Sequence, residues 1–188
     1  MSAKPFKRHN SEVILETPIF KVRRDRSSHP HTGQEGDYFV LEQPGWVNVV
    51  ALTDGAEALV MVRQWRHGTR SIELEIPAGL IDPGEGALEA AARELREETG
   101  YVAKRLEIIG DMQPNPAFQS NSCHVVLATG CRRVGEQALD HDEQIEVVSV
   151  PASELEEYVR SGEIRHGIVL FALYTWLNHQ GMVRWPGG

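Results

Sequence analysis

Gly79-Leu80-Ile81-Asp82-Pro83-Gly84-Glu85-Gly86-Ala87-Leu88-Glu89-Ala90-Ala91-Ala92-Arg93-Glu94-Leu95-Arg96-Glu97-Glu98-Thr99-Gly100-Tyr101 is the most informative run of this chain. Beyond Pro83-Gly84, Leu88, Ala91, Ala92 and Leu95 recur at i, i+3, i+4 and i+7, which predicts one face of an amphipathic helix. Gly100 stands where a helix C-cap is expected. Glu94, Glu97 and Glu98 fall at i, i+3 and i+4, so their carboxylates share one patch, rotated on this reading away from the Leu88/Leu95 stripe. Like charges so spaced destabilise an isolated helix by roughly a few tenths of a kcal/mol per pair. Glu97 and Glu98 also occupy the last turn, where the macrodipole disfavours anions. A hard divalent cation reverses that sign, because clustered carboxylate oxygens are what magnesium or manganese takes as ligands. Three glutamates alone would as readily make a solvated acidic face.

Outward from this helix the chain reads as short strands. Trp46 to Leu52 and Ala58 to Gln64 flank the turn Asp54-Gly55, and Ile72 to Ile76 ends at Pro77-Ala78-Gly79. Strands return at Leu106 to Gly110, His124 to Ala128 and Ile145 to Val150. Ser153 with Glu156 suggests a capping box for a short helix, and a further helix is expected over about Gly167 to His179. Before Pro44-Gly45 the apolar pieces are Ile19 to Val22 and Tyr38 to Leu41, joined by a polar turn. His29-Pro30-His31 lies in that turn and reads as plain loop, since no further histidine or cysteine is near to complete a metal site. The expectation is an α/β protein with a mixed sheet between helices, preceded by a small antiparallel β extension. Its parts are residues 1–45, a main domain over 46–180 and a tail over 181–188.

The 188 residues are 41% apolar and 24% charged, the balance of a soluble globular protein. A net charge of −8 argues against general nucleic-acid binding, which needs a basic surface. Met1 to Glu12 lacks the apolar centre of a signal peptide, and Ile168 to Leu173 is too short an apolar run to span a bilayer. Cytoplasmic location without membrane contact is the expectation. Cys123 and Cys131 fit no metal-ligand spacing and read as reduced thiols.

Gly79, Glu85, Arg93, Glu94, Leu95, Glu97, Glu98 and Gly100 fill the pattern Gly-x5-Glu-x7-Arg-Glu-Leu-x-Glu-Glu-x-Gly. At roughly 6% background per position, eight fixed positions would recur by chance on the order of once in 10¹⁰ placements. The run resembles the signature box of the Nudix hydrolases, with Tyr101 where that family usually has an aliphatic residue. The resemblance implies a Nudix α/β/α sandwich and a magnesium-dependent cleavage of pyrophosphate bonds, with manganese as a possible substitute. It implies metal ligation by Glu94, Glu98 and the backbone carbonyl of Ala78, with Glu97 as a ligand or water-orienting group. Gly79, Glu85, Arg93 and Gly100 are the structural members of the box. Arg93 is suited to a bidentate pair with Glu85 or Glu97.

Three features resemble the ADP-ribose pyrophosphatases within that family. Pro116 lies fifteen residues beyond Tyr101, although Pro114-Asn115-Pro116 also reads as a simple turn. Arg63-Gln64-Trp65-Arg66 resembles the group's strand-end arginine motif, which implies that Arg66 meets substrate phosphate; a solvent-exposed salt bridge is the other reading. Glu75-Ile76-Pro77-Ala78-Gly79 and the N-terminal extension resemble the dimeric nucleoside diphosphate sugar hydrolases. That implies a homodimer through the N-terminal strands and adds Glu75 to the substrate-binding residues. Trp46 either stacks on a nucleobase or sits in the core. The acidic segment Asp140 to Glu146 resembles the group's late acidic loop. It favours Glu143 as general base or further metal ligand, with Asp142 and Glu146 as fallbacks, although Glu146 alternates with Ile145 and Val147 and also reads as solvent-facing.

Hydrolysis of ADP-ribose or a related nucleoside diphosphate sugar, a small-molecule nucleotide, is the resulting expectation. A Nudix enzyme acting on nucleoside triphosphates, dinucleoside polyphosphates or capped RNA is the alternative, which Pro116 and the N-terminal extension disfavour. A Nudix-like ligand sensor is a third; sensors typically lose box glutamates, and here all are present.

Overall fold

The structure, a computed structural model, describes residues 2–141 and 143–183. Asp142, a fallback for the base, and residues 184–188 of the expected tail lie outside the described residues. The chain forms two compact units, one of residues up to Gly45 together with Gln113–Ser122, the other of Trp46–Met112 and the residues from Cys123 onward.

The first unit holds strands β1 (Lys7–Glu16), β2 (Lys21–Ser28) and β3 (Glu35–Glu42), antiparallel in that order. These strands are longer than their apolar pieces suggested. β1 buries none of its residues, so it carries no hydrophobic period to read. Its pairing with β2 is reinforced by polar contacts instead: Arg24 meets Glu12, and Ser11 Oγ donates to Asp25 Oδ1 at 2.6 Å. In the turn after β2, His29 Nδ1 accepts the N–H groups of His31 and Thr32, both at 3.2 Å. The segment 113–122 is tied to β3: Leu41 N–H donates to Phe118 O at 2.7 Å, and Ser120 N–H to Leu41 O at 3.1 Å.

In the second unit, β4 (Trp46–Thr53) and β5 (Ala58–Arg66) surround the predicted Asp54-Gly55 turn. Next come β6 (Ser71–Glu75), β7 (Ala78–Leu80), α1 (Ala87–Thr99) and β8 (Tyr101–Val102). β9 (Arg105–Met112), β10 (Cys123–Arg133), β11 (Ile145–Pro151), α2 (Leu155–Arg160) and α3 (Gly167–His179) follow. The sheet runs β11-β5-β4-β10-β8, with β6 beside β5, β7 beside β4 and β9 beside β10. β4 and β10 are parallel and their other pairings antiparallel, so the sheet is mixed.

Strand alternation sends side chains to two helical layers. Val47, Val49 and Ala51 of β4 pack with Val126 and Ala128 of β10 against Ala90, Ala91 and Leu95 of α1. Val50, Leu52, Val125 and Leu127 face the other way, onto Val169, Ala172, Leu173 and Trp176 of α3. The result is the expected α/β/α layering, with the N-terminal antiparallel sheet as a separate unit.

Two local expectations are corrected. Leu88 is 39% exposed and Ala92 is exposed, so neither anchors α1. The buried stripe is Ala90, Ala91, Leu95, Glu98 and Thr99, with Ala87 and Glu94 partly buried on it. Its physical origin is small alanines, which let the helix lie close to the valine-rich strands. Glu94 and Glu98 therefore lie on the inward face, not away from it. The Ser153/Glu156 capping box does not form: a 3-10 turn at Ala152–Glu154 precedes α2, no side chain caps either element, and Glu156 accepts from Arg160 Nε at 2.8 Å. No described helix is long and apolar enough to cross a membrane.

Candidate active site

The site grows from the junction of β7 and α1. Helix α1 starts at Gly86, whose N–H donates to Glu89 Oε2 at 2.9 Å. It stops at Gly100, whose φ of 74° is left-handed. A Cβ on Gly100 would also lie 2.3 Å from the Gly135 carbonyl oxygen, so the turn admits no side chain. This stop puts Glu94, Glu97 and Glu98 in the last two turns, beside the β7 backbone.

Gly79 has the second steric role. A Cβ there would lie 1.9 Å from Glu94 Oε1, so the Glu94 carboxylate occupies the space that a side chain would fill. Glu98 is 3% exposed, and its Oε2 accepts the Ala78 N–H at 3.0 Å. Arg93 gathers the remaining acids. Its Nε and Nη2 grip Glu85 at 3.0 and 2.9 Å, its Nη1 reaches Glu94 at 2.8 Å and Glu97 at 3.2 Å, and its Nη2 also meets Leu80 O at 2.9 Å. The bidentate partner is thus Glu85, and Glu97 takes a single bond.

Burial dominates the electrostatics. It raises Glu98 to about 8, with the charges of Glu94 and Glu143 adding to it against the Ala78 hydrogen bond. It raises Glu94 to about 7 despite Arg93, with Glu97 and Glu143 pushing the same way. Here are two inward carboxylates with too little positive charge around them. Hard oxygen donors deprived of counter-charge fit a divalent cation of the magnesium type. Among the described residues no three His, Cys, Asp or Glu side chains are already grouped at metal-binding spacing; Glu98 faces the Ala78 N–H, while Glu94 and Glu97 face Arg93.

Glu143 is exposed, its Oε2 accepts the Asp140 N–H at 3.0 Å, and its charge reaches Glu94, Glu98 and Arg66. Glu146 is exposed on β11 opposite Arg63. Arg66, at the end of β5, makes a two-pronged ion pair with Glu75 of β6 at 2.8 and 2.9 Å. Trp46 opens β4 between Leu80 and Cys123, partly buried, with an indole Nε1 that is buried without a hydrogen-bond partner among the described residues. Pro116 belongs to the first unit, exposed in a turn where Asn115 O accepts the N–H groups of Phe118 and Gln119.

Three contributors lie outside the sequence motifs. Gln137 Nε2 donates to Glu98 O at 2.6 Å and Ile145 O at 3.1 Å, tying the end of α1 to the start of β11. Arg165 and His166, at the entry to α3, pair with Glu73 and Glu75. A signal for the pair existed: Ser71, Glu73 and Glu75 put two acids on one strand face, and buried acids require cations from elsewhere.

Comparison with known proteins adds the family. Residues 44–169 match the NUDIX domain model. The chain is 36% identical to an ADP-ribose pyrophosphatase of Mycobacterium tuberculosis over 90% of its own length and 82% of the relative's. It is 36% identical to an ADP-ribose pyrophosphatase of Bacillus subtilis, over 71% and 72%. With the ADP compounds hydrolase NudE of Escherichia coli it shares 32% identity, over 73% and 74%. A crystal structure of an ADP compounds hydrolase superposes with a TM-score of 0.84 at 27% identity, covering 97% of this chain and all of the other. The glutamate-bearing helix therefore sits in a fold and a sequence context that agree, and the chain belongs to the Nudix family as a hydrolase acting on pyrophosphate bonds.

Proposed function

We propose that this hydrolase cleaves the pyrophosphate bond of ADP-ribose, or of a related nucleoside diphosphate sugar, to a nucleoside monophosphate and a sugar phosphate. The observation that carries the reading is the inward pair Glu94 and Glu98, held against Gly79 and the Ala78 N–H and short of counter-charge. Magnesium is the proposed cofactor, with manganese as substitute; bound there, the metal supplies positive charge to the pyrophosphate oxygens and acidifies water. Glu94, Glu98 and the Ala78 carbonyl would hold it, with Glu97 as a further ligand or water-orienting group. Arg93 keeps Glu85, Glu94 and Glu97 gathered beside the proposed metal ligands. Glu143 is the proposed general base or additional ligand, supported by its electrostatic reach to Glu94 and Glu98. Arg66 is the proposed phosphate contact, and Trp46 and Pro116 are each a proposed substrate-binding residue.

The substrate class is supported by relatives named for ADP-ribose and ADP compounds. The proposal extends to a homodimer through the N-terminal strands, supported by the outer strand β1 with its exposed Val13, Ile14 and Leu15. It also includes the division into residues 1–45, 46–180 and 181–188, and a cytoplasmic location. Turnover of ADP-ribose, UDP-glucose, GDP-mannose, NADH and dGTP, compared side by side with magnesium, tests it. The highest kcat/KM is expected on ADP-ribose or a nucleoside diphosphate sugar; preference for dGTP contradicts the reading.

A further inference from the structure

Glu75 closes β6 with 1% of its surface exposed. Arg66 Nε donates to its Oε1 at 2.8 Å and Arg66 Nη2 to its Oε2 at 2.9 Å. His166 Nδ1 lies 3.0 Å from Oε2; an ionised carboxylate only accepts, so that ring nitrogen carries the hydrogen and donates. Burial by itself would raise the Glu75 carboxyl, but the bonds from Arg66 and His166 outweigh it and hold it down at about 2. Glu75 thus stays ionised with three donors on two oxygens and almost no surface for a ligand to touch.

Arg66 is placed differently. Its side chain is 40% exposed, and Nη1 takes no hydrogen-bond partner among the described residues. An arginine fork has five N–H groups, and the edge not given to Glu75 suits a phosphate oxygen. The corner is braced a second time. Arg165, next to His166, grips Glu73 two residues before Glu75, with Nε to Oε2 at 2.9 Å and Nη2 to Oε1 at 2.8 Å. The entry to α3 is therefore pinned to β6 at both acidic positions.

We infer that Glu75 is a positioning residue and not a substrate ligand: together with His166 it fixes the Arg66 guanidinium, leaving the Nη1 edge to meet the diphosphate. This rests on the reading of Arg66 as the phosphate contact. A half-exposed arginine without that partner samples many rotamers, and ordering it at the moment of binding weakens affinity.

The test is a double-mutant cycle read by equilibrium binding of ADP in the presence of magnesium, alongside ADP-ribose turnover. Glu75→Gln is expected to weaken ADP about tenfold, and Arg66→Ala by at least as much. The double variant should bind no more weakly than Arg66→Ala alone, because Glu75 acts only through Arg66. His166→Asn, which keeps a donor, should lose less affinity than His166→Ala. A general loss of folding would instead show in thermal unfolding, as unfolded protein at the assay temperature. Equal ADP affinity in wild type and Glu75→Gln, or additive losses in the cycle, overturns the inference. A non-additive cycle in a protein that leaves ADP-ribose intact upholds the clamp and removes the proposed substrate.

Discussion

The carboxylate of Glu94 lies where a side chain on residue 79 would be: a Cβ on Gly79 falls 1.9 Å from Glu94 Oε1 and 2.1 Å from its Cδ. One missing methyl group therefore sets the position of a proposed metal ligand. Gly79→Ala is expected to push the flexible end of Glu94 aside at a cost to stability within about 1 kcal/mol. Activity should fall about a hundredfold, with a higher magnesium requirement. Wild-type turnover in this variant would contradict the placement of Glu94.

Gly100 offers the contrasting case, because its obstacle is backbone. The φ of 74° and the Gly135 carbonyl oxygen at 2.3 Å from an added Cβ leave nothing flexible to yield. Gly100→Ala should lower the unfolding free energy by about 2–3 kcal/mol, measured by urea denaturation. Loss below about 0.5 kcal/mol would show that the helix stop is more plastic than described.

Arg93 joins Glu85, Glu94 and Glu97 while itself part-exposed. Removing it leaves three carboxylates to repel one another. After discounting for solvent screening, Arg93→Ala should cost about 1–2 kcal/mol. Lysine should not restore activity, because a point charge cannot make the two-pronged bond to Glu85. Full rescue by Arg93→Lys in turnover assays would contradict this.

Glu73 and Glu75 predict an acid limb in the stability profile. Arg165 and the Ser71 hydroxyl hold Glu73 down at about 2, and Glu75 is at about 2 against the pull of burial, both below the ordinary 4.5. The unfolded chain binds these protons more readily, so the stabilisation is complete above the ordinary value and is lost as pH falls from about 4.5 towards 2. Thermal unfolding across that window should show a shallower decline for Glu75→Gln than for wild type. Parallel profiles would contradict the assignment.

What the sequence discloses follows the physics of each signal. Box residues are legible because their jobs are local: Gly100 ends its own helix, and Glu85 and Arg93 meet across the first two turns of that helix. The strand pair β4 and β5 is legible from its apolar runs around Asp54-Gly55. The inward face of α1 is not the one its hydrophobic pattern marks, because Leu88 is a larger hydrophobe than the alanines that do the packing. β1 offered no period because cross-strand polar contacts accompany its pairing and nothing on it is buried. The bond between Glu75 and His166 spans 91 residues of chain, a distance over which no spacing rule speaks.

Glu98→Gln isolates the metal-holding role of the inward acids, with ADP-ribose hydrolysis and thermal unfolding measured on the same preparation with magnesium and with chelator. A neutral amide can still accept the Ala78 N–H and avoids the burial penalty that lifts Glu98 to about 8, so unfolding without metal should be unchanged or shifted upward. Turnover should fall about a thousandfold, equivalent to the several kcal/mol a metal-assisted step supplies, and magnesium should no longer raise the unfolding temperature. Wild-type turnover by Glu98→Gln, or wild-type enzyme indifferent to the chelator, would contradict the account.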